Sequence, residues 1–424
     1  MRSKYNLHSI TFSPLIFYSL IHPLSPRGKL VHWGLEGLAA TNAMIDAAIN
    51  ATSSANTELL DTGNDVDAAR SIRLRDELYR IAISDEQKKQ LQETALAYPS
   101  IAEWKDSVNE NIDQDWNNDT SAFVPTVDGG HPSSGLRLHN GCCVLHVPSY
   151  LRGVYQACQI MAGNTNSSIR WCPINNNTPS GGLELADDNE DIRSEQQHYD
   201  ATIYCYGSNI FQRSDGNNQV VDFTALLSSP SSQEQSSDRH EVMPFPVQLV
   251  RGQSMEVTLV NPLVNAMLCG KYISPLPQLP NQKHRALIGA THEFSSVPMS
   301  TERVITDLQT RTKDFAPFRF HGIHSSSDLT LTTNHVTSVD RITCGYRVQS
   351  TRSEYGRRPI VGKIPSTSST KRSDWIFTGL SSRGLLYHAL YGQLLAQAIL
   401  QDDESVLLDS CPDILWWKSQ GKVA

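Results

Sequence analysis

The chain has 424 residues, with 36 Lys and Arg against 44 Asp and Glu, a formal net charge of −8. That acidic balance argues against a broad nucleic-acid surface, which needs clustered cations. Hydrophobic residues make up 39% and charged residues 19%, a composition that supports packed cores, and the length suits roughly two or three domains.

The first apolar run, Ile10 to Leu24, is broken by Ser13, Pro14, Ser19 and His22. It is too short and interrupted for a membrane span; no small-residue cleavage site follows it, so it reads as a segment to be buried. Residues 33 to 110 read as helical. Glu36 to Asn50 is Ala-rich, Asp65 to Ile83 places Leu74, Leu78 and Ile81 at helical spacing, and Ser84 to Gln87 is a capping-box pattern opening a helix that ends before Pro99. Leu136 to His139 and Cys143 to Val147 predict short strands, Pro148 to about Met161 a helix, and Ile169 to Cys172 a strand. Asp200 to Tyr206 predicts a buried strand ending at Gly207.

A Ser/Gln-rich stretch at 227 to 241 reads as a mobile segment. Beyond it, Pro246 to Arg251, Ser254 to Val260, Ala286 to Thr291 and Arg341 to Val348 alternate apolar and polar residues as half-buried antiparallel strands do, and Val304 to Lys313 suits a helix. Finally Trp375 to Phe377 predicts a strand, Gly379 and Gly384 bracket a turn, and the apolar residues at 386, 389, 390, 394 and 398 predict a helix. A glycine turn opening onto a helix gathers unengaged backbone N–H groups and a partial positive charge, a setting for phosphate or an electron-rich ring edge. Strand–turn–helix units are also common without any ligand.

The eight cysteines, at 142, 143, 158, 172, 205, 269, 344 and 411, contain no C-x-x-C pair and no zinc spacing. Their scatter through mostly apolar contexts predicts reduced, buried thiols in an intracellular protein; the sequons starting at Asn50, Asn118, Asn166 and Asn176 carry little weight in so Asn- and Ser-rich a chain. His321 and His324 have no third ligand at a metal-binding spacing, so no metal is expected. No Ser, His and Asp set forms a nucleophile-elbow pattern.

The turn Thr378–Leu385 (TGLSSRGL) resembles the C-terminal motif of the FAD-dependent D-amino-acid oxidase/glycine oxidase superfamily. Within that superfamily the resemblance is nearest the oxidoreductase half of the bifunctional bacterial tRNA wobble-uridine modification enzymes. Further segments are similar in the family's order: His22–Leu30 (HPLSPRGKL), Tyr204–Gly207 (YCYG), Val250–Gln253 (VRGQ), Ile288–Glu293 (IGATHE), Cys344–Arg347 (CGYR) and Arg358–Gly362 (RPIVG). The resemblance implies an α/β plus α+β protein: an incomplete FAD-binding Rossmann-like domain and a second, antiparallel-sheet substrate domain. It divides the chain into a remnant of the FAD-binding domain (1–60), a helical part (61–135), a second FAD-binding part (136–225), the antiparallel substrate domain (242–335) and a C-terminal FAD-binding part (336–424).

The family's Gly-x-Gly-x-x-Gly fingerprint, whose glycines admit the pyrophosphate and whose acidic partner about 20 residues on holds the ribose, is not found in the sequence. Two explanations are open: an incomplete gene model of a working flavoenzyme, the favoured one, or a non-catalytic remnant that does not bind FAD. The resemblance implies FAD as cofactor, a small amine or amino-acid substrate and hydride transfer from the carbon beside nitrogen to the flavin. Direct tRNA modification is the remaining alternative; oligomeric state is not legible. The implied cofactor residues are Gly379, Ser382, Arg383, Gly384, Gly207, His22 and Arg27. Tyr206 departs from the family's small residue. Arg347 is the candidate carboxylate-binding residue, since a guanidinium grips a carboxylate with two parallel hydrogen bonds; a surface ion pair is its plain alternative. His292, Glu293 and Tyr272 are candidates for the substrate pocket, against the ordinary readings of an exposed strand end and a core aromatic.

Overall fold

A computed structural model describes residues 18–57, 69, 71–106, 134–169, 201–205, 246–259, 265–277, 284–295, 297–312, 318–320, 334–352, 356–364 and 373–419, with short islands at 126–127, 131–132, 174–175, 184–185 and 263. In chain order its strands and longer helices are β1 (Tyr18–Ile21), α1 (Gly34–Thr57), β2 (Arg73–Arg75), β3 (Leu78–Ile81), α2 (Asp85–Ala97), β4 (Ala102–Lys105), β5 (Thr126–Val127), β6 (His131–Pro132), β7 (Gly135–Leu138), β8 (Cys143–His146) and α3 (Val147–Asn164). There follow β9 (Ile174–Asn175), β10 (Glu184–Leu185), β11 (Ala201–Tyr204), β12 (Val247–Leu259), β13 (Ala266–Cys269), β14 (Lys271–Pro275), β15 (His284–Gly289), α4 (Thr301–Thr312), β16 (Phe318–Phe320), β17 (Asn334–Ser350), β18 (Ile360–Ile364), β19 (Ser373–Thr378), α5 (Gly384–Gln401), α6 (Ser405–Ser410) and α7 (Trp416–Ser419). The chain divides into two compact units, residues 1–157 with 251–346, and residues 158–250 with 347–424.

The first unit is built on a nine-stranded sheet, in the order β16-β17-β12-β15-β14-β13-β3-β7-β4. Most of its pairings are antiparallel; β13 with β3 and β16 with β17 are parallel. Met255, Val257, Ile273, Ile288 and Met267 line one face, and Val304 and Leu308 of α4 pack into the same cluster. Fully burying each such side chain stabilises by about 1.5–3 kcal/mol. On the alternate positions of β12, Ser254, Glu256 and Thr258 are buried too, so this strand carries an apolar and a polar face. A three-stranded sheet, β1-β8-β2, is antiparallel throughout. Beside it α1 and α3 cross closely at Gly153, where a Cβ would lie 2.8 Å from the Ala48 carbonyl. Thr52 Oγ1 meets Gln156 Oε1 across the same pair at 3.3 Å.

In the second unit β19 lies between β11, parallel to it, and β18, antiparallel to it. Trp375 and Ile376 of β19 are fully buried. The C-terminal segment covers β18: the Trp416 and Trp417 indoles donate to the Pro359 and Val361 carbonyls at 3.2 and 3.0 Å, and Arg358 pairs with Asp413 at 2.9 Å.

The structure corrects several expectations. Asp65 to Ile83 is not one helix, because Arg73–Arg75 and Leu78–Ile81 are strands; β4 likewise interrupts the helical reading of 33 to 110. The Asp200–Tyr206 strand forms over Ala201–Tyr204 but is not buried, and Ile203 is 47% exposed. The two strands expected at 246–251 and 254–260 are one, β12. Cys172 and the centre of the Ile169–Cys172 strand lie outside the described residues.

Candidate functional site

In the second unit, β19 runs into the predicted glycine turn. Gly379 adopts φ +71°, and a Cβ there would meet the Ile360 side chain at 3.3 Å. Ser381 also holds a positive φ, +58°, which is rare for a residue with a side chain. A single 3₁₀ turn, Ser381–Arg383, then feeds α5. No side chain caps the start of α5 and its first turn contains no acidic residue, so the positive end of the helix is not neutralised by its own sequence. Ser382 is exposed, whereas Arg383 and Gly384 are half-buried. His388 Nδ1 lies 3.1 Å from the Leu385 carbonyl, and burial pushes its imidazole below the usual histidine range.

The end of β17 lies against this turn, with Gln349 bridged to Leu380. The next residue, Ser350, is fully buried, and its hydroxyl has no partner among the described residues. An orphaned buried hydroxyl beside an uncapped helix start suits a polar ligand edge. Arg347, half-buried, precedes them on the same strand.

In the first unit, two of the sequence motifs meet. Arg251 and Glu293 exchange backbone hydrogen bonds of 2.9 Å in both directions, and Thr291 donates its N–H to the Gln253 carbonyl at 2.9 Å. The Glu293 carboxylate accepts from Gln253 Nε2 at 3.1 Å, from the Thr291 hydroxyl and from the Met299 N–H at 3.1 Å. Its remaining contact is Arg251 Nη1 at 3.5 Å. Arg251 also donates Nε–H to Tyr346 Oη at 3.0 Å. Burial would push the Glu293 carboxyl up, but the hydrogen bonds and the Arg251 charge together hold it below the usual carboxylate range. Glu293 is thus a brace between strands, while its neighbour His292 is exposed and stacks edge-on against Phe294 with ring centroids 4.9 Å apart.

Tyr272, on β14, places its hydroxyl 3.2 Å from Ser254 Oγ. Gly289 makes room for the pair: a Cβ there would fall 2.4 Å from Tyr272 Oη and 2.6 Å from Ser254 Oγ. On the adjacent position Lys271 is buried, donates to the Ala290 carbonyl and lies 3.9 Å from Asp307. His22 is half-buried and accepts from the Leu24 N–H at 3.3 Å, whereas Arg27 is exposed in the turn closed by Ser25 and Lys29. Gly207 and the pair His321 and His324 lie outside the described residues. Among the described residues no group of His, Cys, Asp and Glu could hold a metal ion, and no helix is long and apolar enough to cross a membrane.

Ser254, Ser350 and the Gly289 contact were not singled out by sequence. Nothing local marks them: each becomes specific only once distant strands pair.

No protein-family model matches the chain, and no curated protein matches it. Among solved structures, it is similar to a glycine oxidase from Geobacillus kaustophilus, at 15% identity over 87% of this chain and 78% of that one, TM-score 0.46. It is also similar to iminodiacetate oxidase (IdaA) from Chelativorans sp. BNC1, at 13% identity over 91% and 85% of the two chains, TM-score 0.48. A third is fructosamine oxidase (Amadoriase II) from Aspergillus fumigatus, at 12% identity over 94% and 80%, TM-score 0.47.

Proposed function

We propose that this chain is a FAD-dependent oxidoreductase that oxidises a C–N bond of a small amine or amino acid. The observation that carries the reading is the turn from Thr378 to Gly384: a left-handed Gly379, an uncapped helix start and the buried hydroxyl of Ser350 beside it. These features fit the ring end of a flavin, whose electron-rich edge suits a helix N-terminus. The pyrophosphate end has no such fit, since the sequence contains no Gly-x-Gly-x-x-Gly turn. Flavin retention is therefore the point on which the reading turns.

When bound, the flavin supplies the hydride acceptor. The chain's own part is orientation. Gly379, Ser382 and Gly384 would face the ring edge through backbone N–H groups and the helix dipole, and Arg383, whose N–H bonds the Leu380 carbonyl at 3.2 Å, through its guanidinium. Arg347 would hold a substrate carboxylate; Tyr272 and His292 are assigned to the substrate side by the sequence resemblance alone. A net charge of −8 favours a small substrate over tRNA.

Purified chain saturated with FAD and passed through a desalting column should keep the flavin's visible absorption, and an amine or amino acid should bleach it. Arg347→Ala should then lower kcat/KM for carboxylate substrates by roughly 10- to 100-fold, the loss of a charge-assisted pair worth about 1.5–3 kcal/mol, and leave uncharged amines unaffected. A colourless protein after desalting rejects the reading in favour of the non-catalytic remnant.

A further inference from the structure

The junction between β8 and α3 holds a second chemical arrangement, in which none of the residues above takes part. The strand ends at His146 and the helix begins at Val147 with no loop between them. Ser149, in the first turn of this 18-residue helix, places Oγ 2.7 Å from His146 Nδ1. The same imidazole is hydrogen-bonded to the Ser71 backbone, a contact that favours its protonated form and so comes from a ring N–H. A neutral imidazole has one N–H. In the tautomer that gives Ser71 the N–H at Nε2, Nδ1 offers its lone pair and the Ser149 hydroxyl donates to it. Burial, reinforced by the nearby Arg152 charge, pushes the imidazole below the usual histidine range, which keeps it neutral at pH 7.

Both side chains are half-buried and so within reach of a small ligand. The Ser149 amide lies in the first turn of α3, where an N–H has no acceptor within the helix and the dipole favours negative charge. Pro148 has no N–H to crowd that end. Arg152 is exposed and three residues on from Ser149, hence on the same helix face.

We propose that Ser149 is a base-activated nucleophile, with His146 as its general base, acting on small activated esters, preferentially anionic ones. As Oγ bonds to the acyl carbon, its proton passes to His146 Nδ1. The bond from that carbon to the leaving alkoxide then breaks, and the alkoxide takes the proton from the imidazolium. Water repeats the sequence on the acyl-serine, so that ester and water give acid and alcohol. This inference is independent of the flavin reading.

The test is labelling of the full chain with a fluorophosphonate probe, followed by peptide mass mapping. An adduct on Ser149 is expected, formed at least about 100-fold faster than in His146→Gln, the usual scale of general-base assistance. No adduct on Ser149, or equal rates in the two proteins, would overturn the proposal. Should His146→Gln fail to fold, Ser149→Cys replaces it: its new thiol should be alkylated by iodoacetamide at pH 7 well ahead of the exposed Cys158, and equal rates would count against the pair.

Discussion

Glu293 and Arg251 are both buried, with side chains 2% and 4% exposed, and their charges compensate each other where water does not reach. Removing one partner of such a pair costs about 3–5 kcal/mol, because the other charge stays buried. Glu293→Gln keeps the shape and some hydrogen bonds, so a destabilisation of about 3 kcal/mol is expected in denaturant titrations at pH 7. The pH dependence follows from the carboxyl's lowered titration range in the fold. A depressed folded pKa contributes stability above the unfolded carboxyl value, and the contribution is lost as pH falls through the folded one. The gap between wild type and Glu293→Gln should therefore be full at neutral pH and shrink in acid. A gap constant from pH 7 to pH 3 would show that Glu293 stabilises by packing rather than by charge.

At the scale of elements, α2 was legible because its signals are local. Ser84 Oγ accepts the Gln87 N–H at 3.2 Å, and Gln87 Oε1 reaches back to the Ile83 N–H at 3.1 Å, one residue before the position a capping box uses. Ser84→Ala should lower stability by about 1 kcal/mol, seen as faster amide exchange in the first turn of α2; unchanged exchange there would mean the cap contributes nothing. β3 was not legible for the opposite reason. Leu74, Leu78 and Ile81 mimic helical spacing, but Leu78, Tyr79, Arg80 and Ile81 are all buried. A strand covered on both faces loses its alternation, and periodicity then misleads. Helix α5 was found from the spacing of its leucines and alanines, while Tyr387 and Tyr391, also buried and stacked edge-on with centroids 5.6 Å apart, were missed because a tyrosine reads as ambivalent in sequence. The same division holds for the candidate residues. The Gly379 turn is encoded within eight residues, whereas the Tyr272 contact with Ser254 depends on β12, β14 and β15 pairing in one register.

At the scale of the molecule, the cysteines distinguish the two units. Cys142 and Cys143 are buried in the first, and burial pushes both thiols up to about 12, so neither forms a reactive thiolate at neutral pH. Cys411 is buried in the second unit, close to Trp416 and Trp417 in sequence, and burial raises its thiol as well. Cys158 is exposed. A thiol reagent should thus label Cys158 in the native protein and leave Cys142, Cys143 and Cys411 intact. Among the described residues, the buried cluster along the large sheet of the first unit is broad, while the one around Ile360, Ile376, Trp416 and Trp417 in the second is smaller. Stability grows with buried apolar surface, and a small core opens more readily. Pulse labelling across a urea series should therefore expose Cys411 at a lower concentration than Cys143. Coincident midpoints would mean that the two units unfold as one cooperative body, and the reverse order would place the weaker core in the first unit.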